Sequence, residues 1–232
     1  MKIALVGHGK MGRAIAALAE ARGHAVVAAI DGEENRDGRG LTLDRLAGAD
    51  VVFEFTTPEA AVDNLLTLAR LGQRVVTGTT GWQHRLDDVR AVVIAHGGAL
   101  LHSPNFSVGV QLFLRAARDL ARHLAGRPEF EGYVVESHHA AKKDAPSGTA
   151  LALTRALAAG DPDRVMPVTS IREGFDPGTH VAVFDAQFET IRLEHQARSR
   201  QVFAAGAVMA GEWLDGRTGV FTFDQMLFPE AP

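Results

Sequence analysis

The sequence predicts an α/β protein that has a parallel-sheet domain and a second α/β domain with a mixed or antiparallel sheet. In the first half, short apolar runs alternate with segments of helical periodicity, as in βαβ units. After Ser103 this rhythm gives way to one long amphipathic segment and then closely spaced strands, which indicates a different sheet. The 232 residues, 46% of them hydrophobic, are enough to bury the cores of two modest domains.

The first half contains five predicted strands, most of them separated by helical segments. The strands are predicted at residues 2–6, 25–30, 51–55, 74–77 and 99–102. Gly23 closes a first predicted helix at 11–22. Pro58 suits the first turn of a second predicted helix, which runs to Leu71 and stops at Gly72.

The second half begins with a predicted helix at residues 106–123 and then becomes rich in strands. These are predicted at 133–137, 165–171, 181–184 and 188–195, with a helix at 149–158 after the first. We therefore expect a domain boundary between Ser103 and Val108. A helix near 205–214 and an apolar run at 219–223 are compatible with either domain.

Composition argues against several classes of protein. The net charge of −4 does not suit a general nucleic-acid binder, because phosphate contacts need a basic surface. The absence of cysteine removes disulfides and thiolate chemistry and is compatible with a reducing compartment. The N-terminal apolar run is too short for a signal peptide, and no window approaches a membrane span. We therefore expect a cytoplasmic protein without nucleic-acid or membrane partners.

Three glycines form the spacing G-x-G-x-x-G between the first predicted strand and the first predicted helix: Gly7, Gly9 and Gly12. Such glycines permit a tight turn and let the backbone approach a pyrophosphate, whose charge then lies at the helix N-terminus. Asp31 follows the second strand, where an acid binds the adenosine ribose hydroxyls. The alternative is a tight strand–helix turn with a surface aspartate, but the agreement of position, glycines and acid favours a dinucleotide site.

Asp31 also bears on the choice between NADH and NADPH, because a carboxylate at this position repels a 2′-phosphate. The hypothesis is that NADH is used at least as well as NADPH. Arg36 and Arg39 follow in the same segment and are able to offset that repulsion, so both cofactors remain open.

Two later loops follow strands of the same predicted sheet. Gly78-Thr79-Thr80 comes after the fourth strand, and Pro104-Asn105-Phe106 comes after the fifth. Ligands of open α/β sheets bind beyond the carboxyl ends of the strands, so these loops are expected to line the nicotinamide site. Taken alone, each of these loops is better interpreted as an ordinary turn.

The stretch HHAAKKDAPSGTAL at residues 138–151 combines histidines, lysines and a helix start directly after a predicted strand. Helix N-terminal N–H groups and Lys142 suit carboxylates, and His138 is suited to proton transfer near neutral pH. The site therefore fits a small dicarboxylic substrate that must be protonated. Against this, Ser147 can be only a helix cap and the histidines only structural. No third metal ligand stands nearby at a recognised spacing, so no metal is expected.

Six segments together resemble the 4-hydroxy-tetrahydrodipicolinate reductase (dihydrodipicolinate reductase) family. They are GHGKMG at 7–12, TGTTG at 77–81, SPNFSVGV at 103–110, ESHHAAKKDAPSGTA at 136–150, GTH at 178–180 and EHQARSRQVFAAGAVMAGEWL at 194–214. The resemblance spans nearly the whole chain in the expected order, and its H-H-x-x-K-x-D-A-P-S-G-T pattern is highly specific.

The resemblance implies a Rossmann-like cofactor domain at residues 1–105, completed by 206–232, and an inserted substrate-binding and oligomerisation domain at 106–205. It implies a homotetramer that uses NADH and/or NADPH to reduce a small cyclic dicarboxylate imine in the diaminopimelate pathway of lysine biosynthesis. Hydride goes to substrate C4, and the next carbon must be protonated.

Residue roles also follow from the resemblance. The implied catalytic residues are His138 and Lys142, and the implied substrate-binding residues are His139, Lys142, Ser147, Gly148 and Thr149. The implied cofactor-binding residues are Gly7, His8, Gly9, Lys10, Met11, Gly12, Asp31, Gly78, Thr79, Thr80, Ser103, Pro104, Asn105 and Phe106. Ala140-Ala141 replace an Arg-His pair found in many members, which removes positive charge beside the site.

Two other functions remain open on the sequence. One is a reductase or dehydrogenase acting on a different amino acid or imine with the same cofactor domain. The other is a non-catalytic NAD-sensing regulator on the same fold, for which the chain offers no DNA-reading element or basic stripe.

Overall fold

A computed structural model of the protein describes residues 1–35 and 39–229. The chain forms two compact units, Met1–Phe106 with the chain from Phe203 onward, and Ser107–Val202. Arg36, which was expected to influence cofactor choice, lies outside the described residues. No helix within the described ranges is long and apolar enough to cross a membrane.

The strands and helices of these residues are numbered in chain order. The strands are β1 (Lys2–Val6), β2 (Ala25–Ile30), β3 (Val51–Glu54), β4 (Arg74–Thr77), β5 (Ala99–His102), β6 (Glu131–His138), β7 (Val168–Arg172), β8 (Thr179–Asp185), β9 (Thr190–Gln196) and β10 (Gly219–Thr222). The helices are α1 (Lys10–Ala21), α2 (Pro58–Arg70), α3 (Leu86–Ala95), α4 (Val108–Leu124), α5 (Gly148–Gly160), α6 (Gln201–Leu214) and α7 (Phe223–Leu227).

The first unit is built on a parallel sheet whose strand order, over the described residues, is β10-β5-β4-β3-β1-β2. Its strands β1, β3 and β5 are almost wholly buried, as expected for a parallel sheet covered on both faces. The apolar run at 219–223 supplies β10, which pairs with β5, so this segment completes the first sheet. Since the carboxyl ends of parallel strands lie at one edge, the loops after β1, β3, β4 and β5 are neighbours.

The second unit contains a mixed sheet of order β7-β6-β8-β9, in which β6 pairs parallel with β7 and antiparallel with β8. Its core joins α4 and α5 to this sheet through apolar side chains that include Phe113, Leu153 and Phe184. Ser107 and Ser147 cap the two helices, each accepting a hydrogen bond from the backbone N–H three residues later. The predicted fold class, a parallel sheet plus a mixed sheet with helices, is confirmed.

Several predicted element boundaries were wrong for local reasons. The strand predicted from residue 188 begins at Thr190, because Ala186 N–H bonds to the Glu189 carbonyl in a hairpin turn that leaves Phe188 90% exposed. The strand predicted from 165 begins at Val168, after Pro167, which has no N–H to donate. Helix α3 was not predicted at all.

Candidate functional site

The glycine turn after β1 has a close-packed side and an open side. Gly7 has φ +93°, and a Cβ there would lie 2.3 Å from the Phe55 carbonyl oxygen. A Cβ on Gly12 would lie 2.2 Å from the Gly7 carbonyl oxygen. A Cβ on Gly9, the N-cap of α1, would meet nothing within 4 Å. Packing therefore requires glycine at 7 and 12, whereas Gly9 faces space that is available to a ligand.

A cavity of about 320 Å³ opens beside this turn. It brings together three predicted cofactor residues, Gly7, Gly9 and Asp31. Also in the lining are residues that sequence reasoning missed: Asn35, Phe55, Thr56, Thr57 and Asn64. His8, Lys10, Met11 and Gly12 belong to the same turn and the first turn of α1 but are not among the described residues that line the cavity. The position of 55–57 at the carboxyl end of the third predicted strand was the signal that could have revealed three of them.

The loops after β4 and β5 lie against the loop after β3. The Thr56 N–H donates to Thr79 Oγ1 at 2.9 Å, and a Cβ on Gly78 would lie 2.2 Å from the Phe55 ring. The rings of Phe55 and Phe106 are 5.9 Å apart, centre to centre. The loop ahead of Phe106 is closed by the Ser103 hydroxyl, which donates to the Asn105 carbonyl at 2.7 Å.

Exposure differs among the predicted residues of these two loops. Thr79, Ser103 and Phe106 are buried, whereas Thr80 and Pro104 are exposed. The structure thus gathers the predicted cofactor residues of both loops at the same sheet edge as the glycine turn.

A buried carboxylate organises the second cluster. Glu136 is fully buried on β6, and its Oε2 lies 2.5 Å from Nδ1 of His138, the last residue of that strand. Its Oε1 accepts from Arg172 Nη2 at 2.5 Å and from the Ser147 backbone N–H at 3.3 Å. Glu136 therefore joins the end of β6 to β7 and to the N-terminus of α5.

Ionisation of this carboxylate is favoured despite its burial. Desolvation raises the pKa of Glu136, but hydrogen bonds from Arg172 and Ser170 and the positive charges of His138 and Arg172 outweigh it and hold the pKa at about 2. Burial lowers the pKa of His138, and the charges of Lys142 and Arg172 lower it further, while Glu136 raises it. Lys142 is thus near enough to His138 to act on its charge.

His180 completes the cluster from β8. Its Nε2 lies 3.0 Å from Ser147 Oγ, and its ring stands edge-on to that of His138 at 5.1 Å. Burial, followed by the charge of His138, lowers the pKa of His180 to about 4, so the ring is neutral at pH 7. The register of β6 with β8 places His180 opposite Glu136, which local sequence does not reveal.

The other predicted substrate residues lie in the loop between β6 and α5 and in the first turn of α5. Lys142 Nζ pairs with Asp144 Oδ1 at 2.8 Å, and the Lys142 N–H donates to the His139 carbonyl at 3.0 Å. The His139 N–H in turn donates to the Asp176 carbonyl at 2.7 Å. Gly148 and Thr149 form the first turn of α5 behind the Ser147 cap. The ammonium group of Lys142 is therefore paired with a carboxylate of its own loop.

The fold brings two further potential metal ligands, Glu136 and His180, close to His138, which the sequence did not reveal. Ligand atoms of Glu136, His138 and His180 lie within 4.8 Å of one another, and His139 is not part of this group. The 2.5 Å contact between Nδ1 and Oε2 is shorter than the separation of ligands around Zn²⁺, about 3 Å or more. Because Arg172 also binds this carboxylate, the arrangement suits ion pairing better than a metal ion.

Comparisons with known proteins cover nearly the whole chain. Residues 1–106 match the model of the dihydrodipicolinate reductase N-terminus, and residues 109–227 match that of its C-terminus. The chain is 34% identical to a 4-hydroxy-tetrahydrodipicolinate reductase of Christiangramia forsetii over 98% of both chains. It is also 34% identical to one of Archaeoglobus fulgidus, over 98% of this chain and 100% of the relative.

A solved structure shares the fold. The dipicolinate-bound dihydrodipicolinate reductase of Paenisporosarcina sp. TG-14 aligns with a TM-score of 0.78 and 22% identity, over 96% of this chain and 97% of that one. With both halves matched by family models and relatives matched end to end, the chain belongs to the dihydrodipicolinate reductase family.

Proposed function

We propose that the protein is an NAD(P)H-dependent 4-hydroxy-tetrahydrodipicolinate reductase that forms tetrahydrodipicolinate in the diaminopimelate pathway of lysine biosynthesis. The observation that carries the proposal is the arrangement of His138, Lys142 and the N-terminus of α5 around one strand end, in a chain of this family. The cluster combines a proton-transfer group with positive charge and a helix N-terminus, the features that a dicarboxylate requiring protonation demands.

The glycine turn and its cavity fit a dinucleotide. Gly9 leaves the backbone open to a pyrophosphate at the N-terminus of α1, and Asp31 lines the same cavity at the end of β2 to bind ribose hydroxyls. The loops at 78–80 and 103–106 line the nicotinamide end. When bound, NAD(P)H supplies the hydride that the substrate accepts at C4. Asp31 favours NADH at least as much as NADPH.

The substrate is a small cyclic imine with two carboxylates. Lys142 and His139 bind them with side-chain charge and hydrogen bonds, and Ser147, Gly148 and Thr149 bind them at the positively polarised N-terminus of α5. His138, as general acid or proton relay, and Lys142 supply the proton that the reduced substrate needs at the carbon next to C4. The loss of positive charge at Ala140-Ala141 weakens substrate binding relative to members with Arg-His.

The protein acts as a cytoplasmic homotetramer. Large apolar side chains exposed on the second unit, including Phe175 at 98% and Phe188 at 90%, support its role in assembly. Light scattering on the purified protein tests the assembly, and a monomer at assay concentration would contradict it.

The reaction is tested by NADH oxidation, followed in the near ultraviolet, with substrate made in situ from pyruvate and aspartate semialdehyde by the preceding enzyme of the pathway. We expect rapid oxidation that requires the complete mixture, and a repeat with NADPH measures cofactor preference. NADH binding without turnover would mean that the cofactor site is right and the substrate wrong, and would favour another amino-acid or imine reductase.

A further inference from the structure

The two oxygens of Glu136 have different partners. Oε1 accepts from the Arg172 guanidinium and from the Ser147 N–H, whereas Oε2 lies against the imidazole of His138. All of this is buried: Glu136 is fully buried and the side chain of His138 is 9% exposed. Nδ1 and Oε2 are in ion-pair contact, without the alignment of a hydrogen bond in this structure. An ionised carboxylate accepts hydrogen bonds and donates none, so the proton of this pair resides on the imidazole nitrogen.

The position of that proton decides which ring nitrogen is available for chemistry. With the proton of this pair on Nδ1, Nε2 of His138 is the nitrogen whose protonation changes. Nε2 lies against Gly178, where a Cβ would be 2.9 Å away, so glycine at this position leaves room at the reactive nitrogen. Gly178 has φ +149° and is fixed by its N–H, which donates to Asp176 Oδ1 at 2.8 Å.

We infer that Glu136 is a positioning residue for the reduction: its buried carboxylate holds the Nδ1 proton of His138, so that proton exchange with the substrate occurs at Nε2. The inference rests on the proposed function, because it gives His138 its role in turnover. Glu136 does not touch the substrate in this scheme and acts only through the histidine. Arg172 holds the second carboxylate oxygen and compensates its charge.

The charges around His138 predict that removing Glu136 and removing Arg172 shift the pKa of His138 in opposite directions. The charged and titratable groups that act on His138 are Glu136 on β6, Arg172 on β7, His180 on β8, and Lys142 and Asp176 in the loops. Glu136 raises the pKa of His138 and Arg172 lowers it. Removing Glu136 must therefore move the titration of His138 to lower pH, and removing Arg172 must move it to higher pH.

The test combines NMR with kinetics on the full-length protein. In ¹⁵N-histidine-labelled protein, with His138 assigned through His138→Asn, we expect Nδ1 to be protonated and Nε2 to titrate. Glu136→Gln should lower the pKa of His138 by about 1 unit, and Arg172→Gln should raise it. The alkaline limb of kcat should move with each, because a general acid is lost as pH rises through its pKa. The dissociation constant for NADH should not change.

Glu136→Gln leaves the Arg172 charge without its partner and can therefore destabilise the fold. A second variant separates that effect from the loss of the His138 contact. Glu136→Leu/Arg172→Met replaces the buried pair by apolar groups of similar size, a change that often preserves stability. In this variant Nδ1 of His138 should lose its fixed proton. An unchanged tautomer and pKa in both variants, or a moved pKa with an unmoved kcat limb, would overturn the inference. If the variants show that the Nδ1 proton depends on Glu136, but the wild-type protein does not turn over the substrate, the proposed function would be overturned instead.

Discussion

The glycine turn of the first unit and the histidine cluster of the second lie at strand ends but are built in different ways. The turn uses backbone groups from six consecutive residues, and the constraint on Gly12 comes from Gly7 in the same motif. The cluster uses side chains from β6, β7, β8 and the start of α5, held by the buried carboxylate of Glu136. A backbone site is sensitive to added atoms, whereas a site of coupled side chains is sensitive to lost charge and to pH.

The largest effect is expected in the histidine cluster. Lys142→Ala removes the proposed proton donor and carboxylate ligand, so kcat/KM should fall about 10²- to 10⁴-fold while NADH affinity is retained. The matched control is Lys143→Ala, because Lys143 is the exposed neighbour in the same loop. Steady-state kinetics and NADH fluorescence titration measure both variants. Activity within a few fold of wild type for Lys142→Ala would show that this lysine has been given the wrong role.

Adding a side-chain methyl group in the glycine turn should change stability at one glycine and NADH binding at another. Gly12→Ala forces a Cβ to within 2.2 Å of a carbonyl oxygen and should lower the free energy of unfolding by about 3 kcal/mol. Gly9→Ala meets open space, so its cost should not exceed about 1 kcal/mol at the N-cap, but NADH binding should weaken about 10-fold. Urea unfolding and NADH titration separate the two effects. Equal stability losses in both variants would contradict the distinction between packed and open glycines.

The buried histidines should make the stability of the second unit depend on pH. The pKa of His180 falls from 6.5 to about 4 on folding, so below pH 6.5 the unfolded state binds more protons than the folded state. Stability should therefore decrease as pH falls from 6.5 to 4, with His180 contributing about 3 kcal/mol over that window. His180→Gln should flatten this part of the curve, measured by urea unfolding between pH 4 and 7. An unaltered slope would mean that another group is responsible.

The smallest expected effect concerns cofactor choice. Asp31→Ser removes the carboxylate that repels a 2′-phosphate, so the ratio of kcat/KM for NADPH to that for NADH should rise about 10-fold, equivalent to about 1.4 kcal/mol. Glu33→Ser is the control, since Glu33 is an exposed acid two residues further along the same loop. An equal change in both variants would indicate a general charge effect in place of a specific contact.

Where sequence prediction failed, long-range structure was responsible. The local pattern of the apolar run at 219–223 could not assign it to either sheet, and only the family resemblance placed it with the first; β10 pairs with β5, far away in sequence. Strand prediction extended through Phe188 because an apolar residue in an alternating pattern resembles a strand, whereas the hairpin turn is set by the pairing of β8 and β9. In the cavity beside the glycine turn, Asn35 and Asn64 were missed because they meet through a 2.7 Å side-chain hydrogen bond between a loop and α2.

The sequence by itself determined the fold class, the glycine turn with Asp31, and the loop that carries His138, Lys142 and the start of α5. These features depend on local periodicity, on backbone freedom at particular glycines and on residues that follow one another along the chain. Only the tertiary structure decided that Glu136, Arg172 and His180 surround His138. Strand pairing sets those contacts: β7 places Arg172 beside His138, and β8 places His180 opposite Glu136. Register between distant segments depends on how the whole sheet packs, and for that reason no local pattern contained it.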